Sequence, residues 1–150
     1  MSAEMAIKYG VPAVSLSGIF DIHDWILAHP DVVGSLDHKD NFGGPSAAIN
    51  QDGVDDPFYK GFIMNYFDGH ADQLAAATPA PRVTGATGPM YLANSLTEFV
   101  PNSGVLAMAN AFADAEVPFT LRLVPGTHHA KGYWNEVQED VRQFILRQVN

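Results

Sequence analysis

The spacing of apolar and polar residues changes several times along the chain, and each change predicts an element. Met1 to Tyr9 carries an apolar helical pattern that stops at Gly10, where a helix C-cap glycine belongs. The run "VPAVSLSG" follows it; this run is apolar without strict alternation, which is typical of a strand buried on both faces of a parallel sheet. A helix that passes into a buried strand predicts part of a βαβ unit.

From Gly88 onward the pattern alternates regularly between strand and helix. The run "GPMYLANS" predicts a second buried strand, and helical spacing predicts a helix over residues 103–115 after Pro101. "PFTLRLVPG" alternates strictly, which predicts a half-exposed strand near the sheet edge. The order predicts an α/β fold with about three parallel strands joined by crossover helices. The last predicted helix is amphipathic, and its predicted buried stripe is Trp134, Val137, Val141, Phe144 and Ile145.

The stretch from 21 to 80 interrupts this regularity and is rich in turn formers. Short helices are predicted over "DIHDWILA", "PFYKGFIMNYF" and part of "GHADQLAAATPAP", whereas the acidic "HKDNFGGPSAAINQDGVDD" predicts a loop. Such loop-rich insertions face the substrate about as often as they are plain surface, so a cap or pocket-lining role stays open. We treat residues 1–150 as a single domain because this length suits one core.

The amino-acid composition of the chain restricts the partners and the cell compartment that we expect for it. The chain is 47% hydrophobic, lacks cysteine and carries a formal net charge of −9. Nucleic acid and anionic membranes bind basic surfaces, so neither is expected as a partner. No apolar run is long enough to span a bilayer, and the N-terminus lacks the apolar core of a signal peptide. The predicted compartment is therefore the cytoplasm.

Ionisable residues stand in the loops that follow the second and third predicted strands. Thr97 and Glu98 follow "MYLANS", and His128 and His129 follow "TLRLVPGT". The carboxyl ends of neighbouring parallel strands meet at one edge of a sheet, so these loops are expected to lie together. A carboxylate beside a histidine fixes the imidazole tautomer and stabilises the imidazolium, which is the orienting half of a nucleophilic triad.

Three motifs in this order resemble a known family. The runs "AVSLSGIFDI", "TPAPRVTGATGPMYLANSLTEFVP" and "VPFTLRLVPGTHHA" are similar to the C-terminal half of α/β-hydrolase-fold serine esterases. The branch is that of carboxylesterases and acetyl-hydrolases, with arylformamidase-like enzymes nearby. The resemblance implies the C-terminal portion of a doubly wound α/β-hydrolase sheet. It also implies that His129 is the catalytic histidine and Glu98 its acid, although Thr97 stands at the family's usual aspartate position.

Three residues near these strands are candidates for substrate binding. Asp21 follows the first strand and is a candidate to line the pocket, although a helix-capping role suits it better. Phe20, Trp25 and Tyr133 are candidates for the pocket wall, although each is more often a core residue. His128 is a candidate for the pocket mouth.

The other histidines do not predict a metal site. His23, His29, His38 and His70 show no ligand spacing with one another, and the chain has no thiolate. No glycine-rich phosphate loop precedes a helix either. Neither a metal nor another cofactor is therefore expected.

The nucleophile that the resemblance requires is absent from the sequence. In α/β-hydrolases the serine lies in G-x-S-x-G, which occurs nowhere in the chain, and neither Ser15 nor Ser17 has the two flanking glycines. One hypothesis is the acid-and-histidine half of a serine hydrolase for small carboxylic esters or amides, incomplete as a catalyst on its own. The alternative is a non-catalytic, truncated hydrolase remnant that acts as an interaction or folding unit. A third hypothesis is a binding module for a small ligand.

A missing nucleophile strand would leave the strand of "VPAVSLSG" with one bare edge. Exposed apolar strand edges pair with other chains. Besides a small-molecule ester substrate, we therefore expect either a homo-oligomer or a complementing N-terminal hydrolase segment, with the serine upstream of Met1.

Overall fold

The computed structural model describes residues 1–37 and 53–149. Most of the predicted acidic loop, including His38, lies outside these described residues. Short 3-10 helices occupy Ala71–Gln73, Ala80–Arg82 and Ala130–Tyr133. The remaining elements are, in chain order, α1 (Ser2–Tyr9), β1 (Ala13–Leu16), α2 (Ile22–Ala28), α3 (Asp56–Tyr66), α4 (Leu74–Ala77), β2 (Met90–Ser95), α5 (Asn102–Asp114), β3 (Phe119–Val124) and α6 (Trp134–Val149).

The three strands form one parallel sheet in the order β1-β2-β3. Ala13 aligns with Met90, and Met90 aligns with Phe119 on the other side. The predicted α/β class with three parallel strands is confirmed. Every residue of the central strand β2 is buried, whereas β1 is mostly only partly buried. The prediction of two-sided burial for β1 is wrong because β1 lies at an edge of the sheet that the described residues form.

Helices cover both faces of the sheet. Because successive side chains of a strand point to opposite faces, Met90 and Leu92 join the core under α1 and α5, while Tyr91 and Ala93 face α6. Two helix layers around one sheet make the arrangement doubly wound, as predicted. The buried helix residues are Ala3 and Ala6 of α1, Val105, Met108, Ala109 and Phe112 of α5, and Val137, Val141 and Phe144 of α6.

The first helix ends where the sequence predicts. Gly10 has a φ of 64°, in the left-handed region that glycine adopts at little cost, and its N–H donates to Ala6 O over 3.0 Å. This bond satisfies a carbonyl at the end of the helix and turns the chain into β1.

The stripe predicted for α6 is only partly buried. Val137, Val141 and Phe144 are buried, but Trp134 is 39% exposed and Ile145 is 48% exposed. Trp134 is the first residue of the helix, at the end of the packed stripe. Ile145 follows Phe144 and is therefore rotated by about 100° around the helix axis, to the border of the buried stripe. The prediction that these two residues are core is wrong.

The described part of the 21–80 stretch is largely helical and forms a second apolar cluster with the loop after β2. Trp25 lies in this cluster, stacked on His29 at 4.1 Å between ring centroids and edge-on to Tyr59 at 4.6 Å. Asp55 begins α3 by accepting the Phe58 N–H over 3.1 Å. No helix within the described ranges is long and apolar enough to cross a membrane.

Candidate active site

Two loops at the carboxyl ends of β2 and β3 are joined by hydrogen bonds beyond the sheet. Leu96 N–H donates to Val124 O over 2.9 Å. Thr97 donates to Gly126 O twice, from its N–H at 3.1 Å and from its hydroxyl at 2.9 Å. Thr97 therefore joins one loop to the other. These bonds extend the pairing of the strands and bring the two loops together, as predicted.

A carboxylate and an imidazole lie side by side in these loops. His129 Nδ1 is 2.6 Å from Glu98 Oε2, and the side chains are 22% and 0% exposed respectively. The other carboxylate oxygen, Oε1, accepts the Ser95 N–H over 2.7 Å. An ionised carboxylate only accepts hydrogen bonds, so in the neutral imidazole Nδ1 carries the proton and Nε2 carries the lone pair. This tautomer is the one that a general base requires.

Ser17, directly after β1, adds the third strand end to this network. Its Oγ donates to Glu98 Oε1 over 2.8 Å, accepts the Ala130 N–H over 2.9 Å and lies 2.8 Å from the Tyr133 hydroxyl. The residue is only 6% exposed, and its φ of 54° lies in the left-handed region that side-chain-bearing residues seldom adopt. The network therefore links the carboxyl ends of all three strands.

The hydroxyl protons of this network can be assigned from its acceptors. Ser17 has one hydroxyl proton, and the carboxylate of Glu98 can only accept, so that proton lies between them. The short contact between Ser17 and Tyr133 then needs the Tyr133 proton, which also faces Ala93 O at 3.0 Å. Tyr133 therefore shares its proton between Ser17 Oγ and Ala93 O. The Ser17 oxygen accepts two hydrogen bonds and donates one, and it has no remaining capacity.

Tyr133 keeps its proton at ordinary pH. Its side chain is 1% exposed. Burial raises the pKa of Tyr133 far above its usual value, the hydrogen bond with Ser17 opposes this, and the charge of Glu98 raises it further. The phenol is thus a permanent hydrogen-bond donor inside the network.

One aromatic ring packs beside the His129 imidazole. The Phe99 ring lies 4.7 Å from the His129 ring between centroids, and Phe99 itself packs in the second apolar cluster. An apolar groove of about 540 Å³ borders the same cluster through Ile22 and Ile63, but neither Glu98 nor His129 lines it. The groove and the imidazole are therefore separate features of the described structure.

Comparisons with known proteins identify the fold. No protein-family model and no curated protein matches the chain. A puromycin-hydrolyzing peptidase from Mycobacterium tuberculosis is similar in structure, with a TM-score of 0.55 and 15% identity, over 95% of this chain and 19% of that chain. The chain has part of an α/β-hydrolase fold. At this identity the likeness shows the fold alone.

Two further solved structures cover less of the chain. An acetyl ester-xyloside bifunctional hydrolase from Caldicellulosiruptor lactoaceticus matches with a TM-score of 0.39 and 21% identity, over 51% of this chain and 29% of that chain. A carboxylesterase from Lactobacillus plantarum matches with a TM-score of 0.42 and 16% identity, over 75% of this chain and 41% of that chain. The chain thus spans less than half the length of each of the three matched structures.

The other predicted site residues of this α/β-hydrolase fold lie in different environments. Phe20 is 2% exposed and packs in the core under α1 and α5. Asp21 occupies the N-cap position of α2, but its side chain makes no capping hydrogen bond. Burial, and then the charge of Asp24, raise the pKa of Asp21. The His128 side chain is exposed, and its carbonyl accepts a hydrogen bond from Ser95 Oγ. Their roles in substrate binding stay predictions.

The sequence pattern predicts no site role for Ser17, and it leaves Tyr133 as a candidate for the pocket wall or the core. The available signal was the position of Ser17, a polar residue at the end of an apolar strand, because a polar group that becomes buried needs partners. For Tyr133 the phenol was such a signal, since a buried hydroxyl also needs a partner. Within residues 1–37 and 53–149, no three histidine, aspartate or glutamate side chains converge to hold a metal ion.

Proposed function

We propose that this chain supplies the acid and the base of a serine hydrolase that acts on small carboxylic esters or amides. The observation that supports it is the 2.6 Å hydrogen bond between Glu98 Oε2 and His129 Nδ1, made in loops that follow adjacent parallel strands. Working residues of doubly wound sheets belong at this end of the strands. The buried acid and the partly exposed histidine also match the roles of orienter and base.

In the proposed reaction, His129 Nε2 takes the proton of a serine hydroxyl while that oxygen attacks the carbonyl carbon of the substrate. His129 then gives the proton to the leaving alcohol or amine, and an acyl-serine forms. Water attacks this ester with the same imidazole as base, which releases the acid and restores the serine. Glu98 stays ionised throughout, holds Nδ1–H and stabilises the imidazolium.

The serine comes, in this proposal, from a segment that pairs with the outer edge of β1. Within the described residues β1 pairs with β2 alone. A groove of about 410 Å³ runs beside that edge and is lined by Pro12, Ala13 and Val14 together with Phe144, Ile145, Gln148 and Val149 of α6. The donor of the serine is a complementing N-terminal hydrolase segment. A second copy of the chain would cover the edge of β1 without supplying a serine, because the chain lacks G-x-S-x-G. Size-exclusion chromatography of the isolated chain tests this, and a well-folded monomer with a sharp melting transition contradicts it.

A complementation assay tests the catalytic proposal. The chain is co-expressed with a hydrolase segment that carries G-x-S-x-G, and a short-chain aryl ester is the substrate. We expect hydrolysis that His129→Ala lowers by roughly 10²–10⁴-fold, the usual contribution of a general base. His70→Ala, at an exposed histidine of another loop, is the matched control and should keep full activity. Hydrolysis that survives His129→Ala would falsify the proposal.

A non-catalytic remnant is the second candidate. It is favoured by the absence of G-x-S-x-G and by the Ser17 hydroxyl, whose hydrogen-bonding capacity is already used. A fluorophosphonate probe on the chain alone separates the two. Covalent labelling of any serine in the chain argues against the remnant. Absence of labelling, together with no hydrolysis after complementation, supports it.

A further inference from the structure

One hydroxyl group, that of Ser17, bonds to both loops of the Glu98–His129 pair. Ser17 Oγ donates to Glu98, and it accepts the N–H of Ala130, the residue that follows His129. It acts beside Ser95, whose N–H also donates to Glu98 and whose hydroxyl donates to the His128 carbonyl. A displaced Ser17 hydroxyl would therefore remove one of the two hydrogen bonds on Glu98 Oε1 and the bond on the Ala130 N–H.

That hydroxyl is held in place by its own contacts. Its proton lies toward the carboxylate of Glu98, which only accepts, so its oxygen can accept from its other neighbours. The Tyr133 hydroxyl lies 2.8 Å away and donates toward Ser17 Oγ, which restrains the position of the serine oxygen. Tyr133 is itself fixed, because its ring is buried in the core under α6 and its hydroxyl also faces Ala93 O.

We propose that Tyr133 is a positioning residue for the Glu98–His129 pair and acts through the hydroxyl of Ser17, an inference that rests on the proposed function. The hydrogen bonds of the Tyr133 hydroxyl run to Ser17 and Ala93, so its effect on the pair passes through Ser17. The phenol restrains Ser17 Oγ where that oxygen meets Glu98 and the Ala130 N–H, and this keeps the carboxylate in line with His129 Nδ1. Burial keeps this phenol protonated and therefore able to donate.

The chain contains a matched control for this role. Tyr91 lies on the same face of the sheet, is also fully buried, and belongs to the same apolar cluster as Tyr133. Its hydroxyl has no hydrogen-bond partner among the described residues. Tyr91→Phe and Tyr133→Phe thus remove the same atom from the same core, but only the second removes a hydrogen bond of the network.

Proton NMR of the full chain with labelled histidine tests the inference without an activity assay. The readout is the His129 Nδ1–H resonance, which a short hydrogen bond to a carboxylate moves far downfield and protects from exchange. We expect this resonance in the unmodified chain and in Tyr91→Phe. In Tyr133→Phe it should move upfield and exchange with water on the order of tenfold faster, the effect of about one lost hydrogen bond.

Ser17→Ala is the second variant, and it should change the resonance in the same direction as Tyr133→Phe. It decides the question if Tyr133→Phe does not fold. An unchanged resonance in Tyr133→Phe overturns the positioning role and leaves the Glu98–His129 pair intact. If Tyr133→Phe does not fold, an unchanged resonance in Ser17→Ala has the same meaning. Absence of the resonance from the unmodified chain overturns both the pair and the inference. In the complemented enzyme, Tyr133→Phe should lower kcat and leave KM unchanged.

Discussion

The middle of the sheet and its carboxyl end are built from the same three strands, but different forces hold them. In the middle, Met90 and Leu92 pack against Phe112 in a core with no exposed surface at these side chains. At the carboxyl end, Ser17 and Glu98 are equally hidden but are held by directional hydrogen bonds. Apolar burial tolerates small shifts, whereas each buried polar atom needs a partner at a defined distance. The end of the sheet is therefore the more specific region, and the middle is the more stabilising one.

Two buried tyrosines differ in whether their hydroxyl groups reach the polar network at the carboxyl end of the sheet. Tyr91 and Tyr133 are both buried in the cluster between the sheet and α6. The Tyr133 hydroxyl reaches the polar network, while the Tyr91 hydroxyl lies outside it and has no hydrogen-bond partner among the described residues. The same residue type therefore serves the site at one position and only fills space at the other.

The largest effect is expected in the apolar middle. Phe112→Ala should lower the free energy of unfolding by about 3–5 kcal/mol, because it removes a fully buried ring and leaves a cavity. Denaturant unfolding measures this change. Leu106→Ala is the control on the same helix, since Leu106 is 42% exposed, and it should stay within about 0.5 kcal/mol. Equal effects of both substitutions would show that the middle is not packed as described.

An intermediate effect is expected at the carboxyl end. Ser17→Ala should lower the free energy of unfolding by about 1–3 kcal/mol, because it removes one hydrogen bond each from Glu98, Ala130 and Tyr133 at a buried site. Ser17→Gly loses the same hydroxyl but relieves the φ of 54°. It should therefore be more stable than Ser17→Ala by about 1 kcal/mol in the same unfolding measurement. A glycine variant no more stable than the alanine variant contradicts the presence of backbone strain.

The smallest effect at neutral pH is expected at Tyr91. Tyr91→Phe should leave the free energy of unfolding unchanged or slightly raise it, because the lost hydroxyl is buried without a partner among the described residues. Burial raises the pKa of Tyr91 from 10.0 to about 12, since the folded state favours the neutral phenol. Its stabilisation is present below the lower value and is lost as the pH rises through the higher one.

Melting temperatures across this alkaline range test the Tyr91 prediction. The unmodified chain should lose stability as the pH rises, and Tyr91→Phe should lose less. The difference should be small near neutral pH and should grow as the tyrosine ionises. A substitution that destabilises the chain at neutral pH would mean that the Tyr91 hydroxyl has a partner after all, and would remove the contrast with Tyr133.

Most elements of the fold could be predicted because local forces set them. The end of α1 follows from Gly10, and the strands β2 and β3 follow from the spacing of their apolar residues. The exposure of Trp134 and Ile145 could not be predicted in the same way. The apolar periodicity indicates which residues share a helix face. How many of those residues become buried depends on the area of the neighbouring sheet.

By itself, the sequence determined the parallel direction of the strands and the placement of Glu98 and His129 in two adjoining loops. These features depend on neighbouring residues and on rules that hold for any such sheet. Only the tertiary structure decided the roles of Ser17 and Tyr133, because the hydrogen bonds of Ser17 join residues 81 and 116 positions apart. A hydrogen bond forms only when its two atoms lie within about 3 Å, and no local pattern sets a distance across three strands.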